Sequence, residues 1–111
     1  MAISAKTKKL LENVKSNLIL QHGEDDALLL GFIAAAVSYA EAYQHRTAGY
    51  YARRRNNMAP TTEQAVIILS THFYEARDGS TGGFFADSVA ASAQVWNTVN
   101  MLLRLDREVA I

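Results

Sequence analysis

The chain has 111 residues, enough for one ordinary domain whose core forms without metal or disulfide support. Its eleven basic and eleven acidic side chains cancel, which excludes a global attraction to nucleic acid or to an anionic membrane and leaves only local patches for either. Cysteine is absent, so disulfides, thiol catalysis and thiolate metal sites are excluded, in keeping with a reducing cytosol.

The opening residues, MAISAKTKKLLENVK, carry lysines but neither an apolar stretch nor a small-residue cleavage site, so they do not read as a secretory signal. Leu10, Leu11, Val14 and Leu18 recur at helical spacing between Lys8, Lys9, Glu12 and Lys15, which predicts a short amphipathic helix capped by Ser4 or Thr7. Lysines near its N-terminus oppose the helix dipole, so packing must hold it.

His22 and Gly23 interrupt this pattern, and Glu24, Asp25 and Asp26 place negative charge where a second helix exposes its free N–H groups. That helix is expected over about residues 25–46 and is the longest predicted. Leu29, Phe32, Ile33, Ala36, Val37, Ala40 and Tyr43 form its main stripe. Leu28, Leu30, Ala34, Ala35 and Tyr39 widen the apolar surface, which either the rest of the chain or a partner subunit must cover. The uncharged run over residues 27–40 has 14 residues and falls short of the roughly 17–25 needed to span a bilayer, so a soluble protein is expected.

Residues 47–60, TAGYYARRRNNMAP, lack apolar periodicity and read as a connecting loop. Thr61 is the expected N-cap of a third helix, Gln64 completes a capping box, and Pro60 bars an earlier start. Ala65, Ile68, Leu69, His72, Phe73 and Ala76 then form the predicted core stripe, and Gly79 is the expected stop. Residues 79–85 read as a flexible loop whose Phe84 and Phe85 either fold back on the bundle or insert into a neighbour. A last helix is expected from Asp87 or Ser88, with Val95, Trp96, Val99, Leu102 and Leu103 on one face. Asn97, Asn100 and the small residues 90–93 leave room in it for a break.

No arrangement announces catalysis. His72 and Glu75 could supply two metal ligands, but a zinc enzyme needs a third and a bundle di-iron site needs two Glu-x-x-His pairs with two further glutamates. The chain has no Gly-x-Ser-x-Gly or Ser-x-x-Lys nucleophile, no GxGxxG and no Walker loop. No catalytic, cofactor-binding or metal-binding residue is therefore assigned. Glu75 and Arg77 are two apart and point in different directions on a helix. With His72 and Tyr74 they read as a structural polar cluster that fixes the following loop or an adjoining subunit, or as a solvated helix end. Arg53, Arg54 and Arg55 beside Tyr50 and Tyr51 are the one basic-aromatic cluster, open to solvent, to an acidic partner or to phosphates.

The short first helix, the acidic break at Glu24, Asp25 and Asp26, the Ala-rich helix reaching Tyr43 and the segment EQAVIILSTHFYEARDG together resemble the small head-tail connector proteins of long-tailed bacteriophages and prophages. The third helix carries the resemblance through Ala65, Ile67, Ile68, Leu69, His72, Phe73, Tyr74, Glu75 and Arg77, with Leu102, Leu103 and Arg104 similar to the family's C-terminal segment. The arginine-containing connection at residues 47–58 and the polar stretch at 97–100 depart from it. The resemblance implies an all-α bundle of about four helices with no enzymatic activity and no cofactor. It further implies a ring of about a dozen copies between the portal of the filled head and a tail-side head-completion protein. DNA would pass through its lumen without sequence-specific contacts, in a virion assembled in the host cytoplasm, and no membrane is involved. Leu28, Leu30, Arg53, Arg54, Arg55, Phe84 and Phe85 are the candidate subunit or partner contacts. The alternative is a small helical nucleic-acid-binding regulator that uses Arg53, Arg54 and Arg55.

Overall fold

The computed structural model describes residues 4–20, 23–53, 55–76 and 85–106, with side chains omitted for 85–92. Four helices, α1 (Ala5–Leu18), α2 (Asp26–Tyr43), α3 (Pro60–Ala76) and α4 (Phe85–Arg104), make an all-α bundle with no strand among the described residues. A single 3-10 turn (Tyr50–Ala52) interrupts the long connection between α2 and α3.

Local chemistry sets the helix ends. Ser4 caps α1 by accepting the Thr7 N–H at 3.1 Å. The helix closes through Ile19 in the left-handed region (φ 58°), with the Leu20 N–H returning to the Lys15 carbonyl at 2.9 Å. Glycine usually fills that position, so a β-branched residue that is 83% exposed there stores strain.

The expected cap at Thr61 does not form. Pro60 is itself the first residue of α3, and the Ala59 carbonyl accepts the Glu63 N–H at 2.9 Å. Proline suits that position because its φ is already helical and its missing N–H would have had no intrahelical acceptor. The helix α2 stops at Tyr43, three residues before the expected end, so at 18 residues it is shorter than the 20-residue α4. The last helix starts at Phe85, earlier than expected, and runs unbroken through the small residues and asparagines.

One contiguous core joins the bundle. It takes Leu10, Leu11 and Val14 from α1, Leu29, Ile33, Ala36 and Ala40 from α2, Ala65, Val66, Ile67 and Leu69 from α3, and Val99 and Leu103 from α4. Each full-sized aliphatic among them contributes about 1.5–3 kcal/mol by leaving water. The predicted face of α4 is the observed one, whereas α3 is rotated from its expected stripe. Thr62, Val66 and Ser70 are buried, Ile68, His72 and Phe73 are half-buried, and Ala76 is exposed. An aromatic layer explains the shift, because Phe73 packs between Phe32 of α2 and Trp96 of α4 at ring separations of 6.0 and 6.2 Å. Tyr39 meets Trp96 edge-on at 5.1 Å and donates its hydroxyl to Asn100 Oδ1 at 2.6 Å, which gives the polar stretch of α4 an internal partner.

By length and composition α2 could cross a membrane, since its 18 residues average a hydropathy of 1.3. The uncharged run of 14 residues understates this, because Asp26 and Glu41 bound the apolar stretch without shortening the helix. In this bundle α1, α3 and α4 all pack on α2, yet only 28% of that stretch is buried. Among the described residues its outward side, with Ala27, Leu28, Gly31, Ala34 and Ala35, is left uncovered.

Candidate interaction surface

The end of the bundle where α2 finishes is held by a chain of polar side chains. Glu41, 5% exposed, accepts the Gly49 N–H on Oε1 at 3.1 Å and the Tyr51 N–H on Oε2 at 2.9 Å, so the turn of the connection rests on a buried carboxylate. Gly49 lies at φ +80°, a conformation glycine adopts without steric cost. The Tyr51 hydroxyl donates to Gln44 Oε1. Gln44 Nε2 donates to Thr62 Oγ1 at 2.7 Å and to the Leu103 carbonyl at 3.2 Å, and Thr62 donates to Asp106 Oδ2 at 3.2 Å. The relay from Tyr51 through Gln44 and Thr62 ends on the Asp106 carboxylate, and it ties the connection, α2, α3 and the end of α4 together. From the other side Lys6 Nζ donates to the carbonyls of Arg53 (2.6 Å), Asn56 (2.7 Å) and Tyr51 (3.3 Å), fastening α1 to the same connection.

Burial pushes the Tyr51 phenol above its ordinary pKa against opposing hydrogen bonds from Arg46 and Thr62. Burial disfavours the charge on Arg46, but its hydrogen bond with Tyr51 and the charges of Tyr50, Tyr51 and Asp106 carry its pKa upward. A raised folded-state pKa means that Tyr51 contributes stability in full below the unfolded value of 10.0 and loses it as pH rises through the folded value. Thermal unfolding between about pH 9.5 and 11 should therefore show a shallower alkaline loss for Tyr51→Phe than for the unchanged protein. Equal slopes would remove Tyr51 as the cause.

The structure separates the residues of the basic-aromatic cluster. Arg53 and Arg55 are exposed, but Tyr51 is buried and the Tyr50 ring lies under the Arg46 guanidinium at 4.7 Å. Base stacking on Tyr51 is closed off, and the arginines sit in an irregular connection rather than on a helix that could enter a groove. Arg54 lies outside the described residues.

At the opposite end, Tyr74 donates its hydroxyl to Asp25, and Lys15 pairs with Asp26 at 2.8 Å, so the acidic start of α2 is bound to α1 and α3. His72 is half-buried beside Phe73, and Glu75 is exposed. Arg77, Gly79 and Phe84 lie outside the described residues, and Phe85 opens α4 with its side chain undescribed. Among the described residues no three His, Asp or Glu side chains gather as a metal site requires.

What remains is a surface for association. Leu28 is 41% exposed, and Ala27, Gly31, Ala35 and Ser38 line the outer side of α2 with it. Leu30 instead helps to line a groove of about 610 Å³ between α1, α2 and the connection, with Leu10, Ile33, Val37 and Met58 in its wall and Lys6, Glu41 and Glu63 at its edge. Sequence reasoning missed three exposed apolar residues, Ile19, Met101 at 55% and Leu105 at 70%. Met101 lies on the side of α4 opposite the core positions Val99 and Leu103, and Leu105 follows in the turn just after the helix, so the two exposed side chains, four apart, form a short ridge at its end. It also missed Glu41 and Gln44, whose signal is a polar residue at each of two positions that continue the buried stripe of α2.

Leu28, the apolar groove, Met101 and Leu105 are, among the described residues, the surfaces available for association. Comparison with curated proteins and with solved structures gave no match. Residues 8–107, from the first turns of α1 to just beyond α4, match the family described as Phage gp6-like head-tail connector protein. The chain belongs to that head-tail connector family, a structural component of the phage virion that associates with other head and tail proteins.

Proposed function

We propose that this chain is the single-domain subunit of a ring that joins the portal of the DNA-filled head to the tail. About a dozen copies stand side by side, each presenting one face to a different face of the next, which is the arrangement that closes a ring. DNA passes through the lumen without sequence-specific contacts, and a zero formal charge suits a channel that must release what it conducts. The portal lies on one side and a tail-side head-completion protein on the other. Assembly takes place in the host cytoplasm before the ring becomes part of the virion.

The observation that carries this reading is the family match across residues 8–107. The uncovered face of α2 supports it, since apolar surface left open in the subunit is available for neighbours. Arg53 and Arg55, exposed at the end held by Glu41 and Lys6, are suited to an acidic partner surface, and Leu28 and Leu30 to a neighbouring copy. Light scattering across a concentration series, alone and with the cognate portal protein, should give a ring-sized species visible by negative stain. A monomer at every concentration, with no ring on the portal, would overturn the reading.

A further inference from the structure

Resting on the ring reading, we propose that the subunit contact is head-to-tail and specific: the ridge of Met101 and Leu105 on one copy seats in the groove between α1, α2 and the connection of the next. Four observations bring the two surfaces together.

They lie on opposite sides of the subunit. The helix α2 turns Tyr39 toward Trp96 of α4, while Val37, two residues earlier and about 200° away around the helix, lines the groove. Of the ridge, Met101 is on the outward side of α4, behind the buried Val99 and Leu103, and Leu105 is exposed in the turn that follows. A contact that uses two opposite sides of each copy is heterologous and propagates around a ring.

They also lie at the same height along the bundle. Gln44 donates to the Leu103 carbonyl and to Thr62, so the end of α4 stands level with the end of α2 and the start of α3. Glu41 and Glu63 edge the groove at that level. Copies standing side by side with parallel axes therefore bring ridge and groove into register without tilting.

Shape and charge agree as well. The ridge is convex and apolar, the groove is concave with Leu10, Leu30 and Ile33 in its wall, and about 610 Å³ gives room for two side chains and the turn that carries them. Arg104 is exposed beside the ridge, and the groove lining carries both the half-buried Glu63 and the exposed Lys9, so Arg104 is drawn to the Glu63 side of the groove and away from Lys9.

The absence of cysteine makes the contact directly testable. Ala34→Cys lies in the groove and Leu105→Cys on the ridge, both at exposed positions. Mixed under mild oxidation, in conditions where the unchanged chain assembles alone or on its portal protein, the two variants should form a disulfide-linked heterodimer. Each variant alone should stay unlinked, and a chain carrying both should give a ladder of linked oligomers. Leu105→Glu should abolish assembly while leaving the thermal midpoint unchanged.

Assembly with no link in the mixture, or with Leu105→Glu assembling normally, would overturn this contact and leave the ring reading standing. Equal linking of a single variant with itself would show a symmetric contact and would also overturn the proposal. Failure of the unchanged chain to assemble in either condition would remove the ring reading, and this contact with it.

Discussion

Glu41→Ala is expected to lower the stability of the fold by about 2–4 kcal/mol. The carboxylate is almost wholly buried and accepts two backbone N–H groups, from Gly49 and Tyr51. Truncation removes two charge-assisted hydrogen bonds and leaves the buried Tyr51 N–H without its acceptor, while the exposed Gly49 N–H can turn to water. For a chain of this size the loss corresponds to roughly 10–25 °C in thermal midpoint. Hydrogen exchange should localise it, with the amides of Gly49 and Tyr51 losing protection before those of the α2 core. A midpoint unchanged within error would mean that the connection is held by Lys6 and the Gln44 relay without Glu41.

The second large effect separates two adjacent leucines. Leu29 is fully buried at the centre of the core, and Leu29→Ala should cost about 2–5 kcal/mol through lost burial and the cavity left behind. Leu28 is 41% exposed on the uncovered face, and Leu28→Ala should change stability by less than about 0.5 kcal/mol. Chemical denaturation of the isolated subunit reads both. The assembly assay should distinguish them in the other sense, with Leu28→Ala weakening association of a subunit that folds normally. If Leu28→Ala destabilises the monomer as much as Leu29→Ala, the outer face of α2 is covered within the subunit and cannot meet a neighbour.

How much of this was legible without coordinates differs by element. In α1 and α4 the large apolar residues recur mainly on one face, so the buried side follows from spacing, and Ser4 is legible as a possible cap of α1. In α3 nearly every position from Ala65 to Phe73 is apolar or small, so two overlapping stripes fit the helical period equally well. The aromatic contacts of Phe73 with Phe32 and Trp96 select between them. The buried polar relay was illegible for a related reason: Thr62 meets Gln44 from 18 residues away and Asp106 from 44, and a local pattern carries no signal of such a pairing.

Residue types and their spacing were enough by themselves to determine an all-α chain, the number of its helices, the absence of a recognised catalytic motif and the connector resemblance carried chiefly by α3. Those properties follow from periodicity, capping chemistry and motif order, all of which act over a few residues. Only the tertiary structure decided which side of α3 is buried, how the connection is fastened, and that Met101 and Leu105 form a ridge on the side away from the groove. These depend on which helix faces which, and that is set by the simultaneous packing of four apolar helix surfaces.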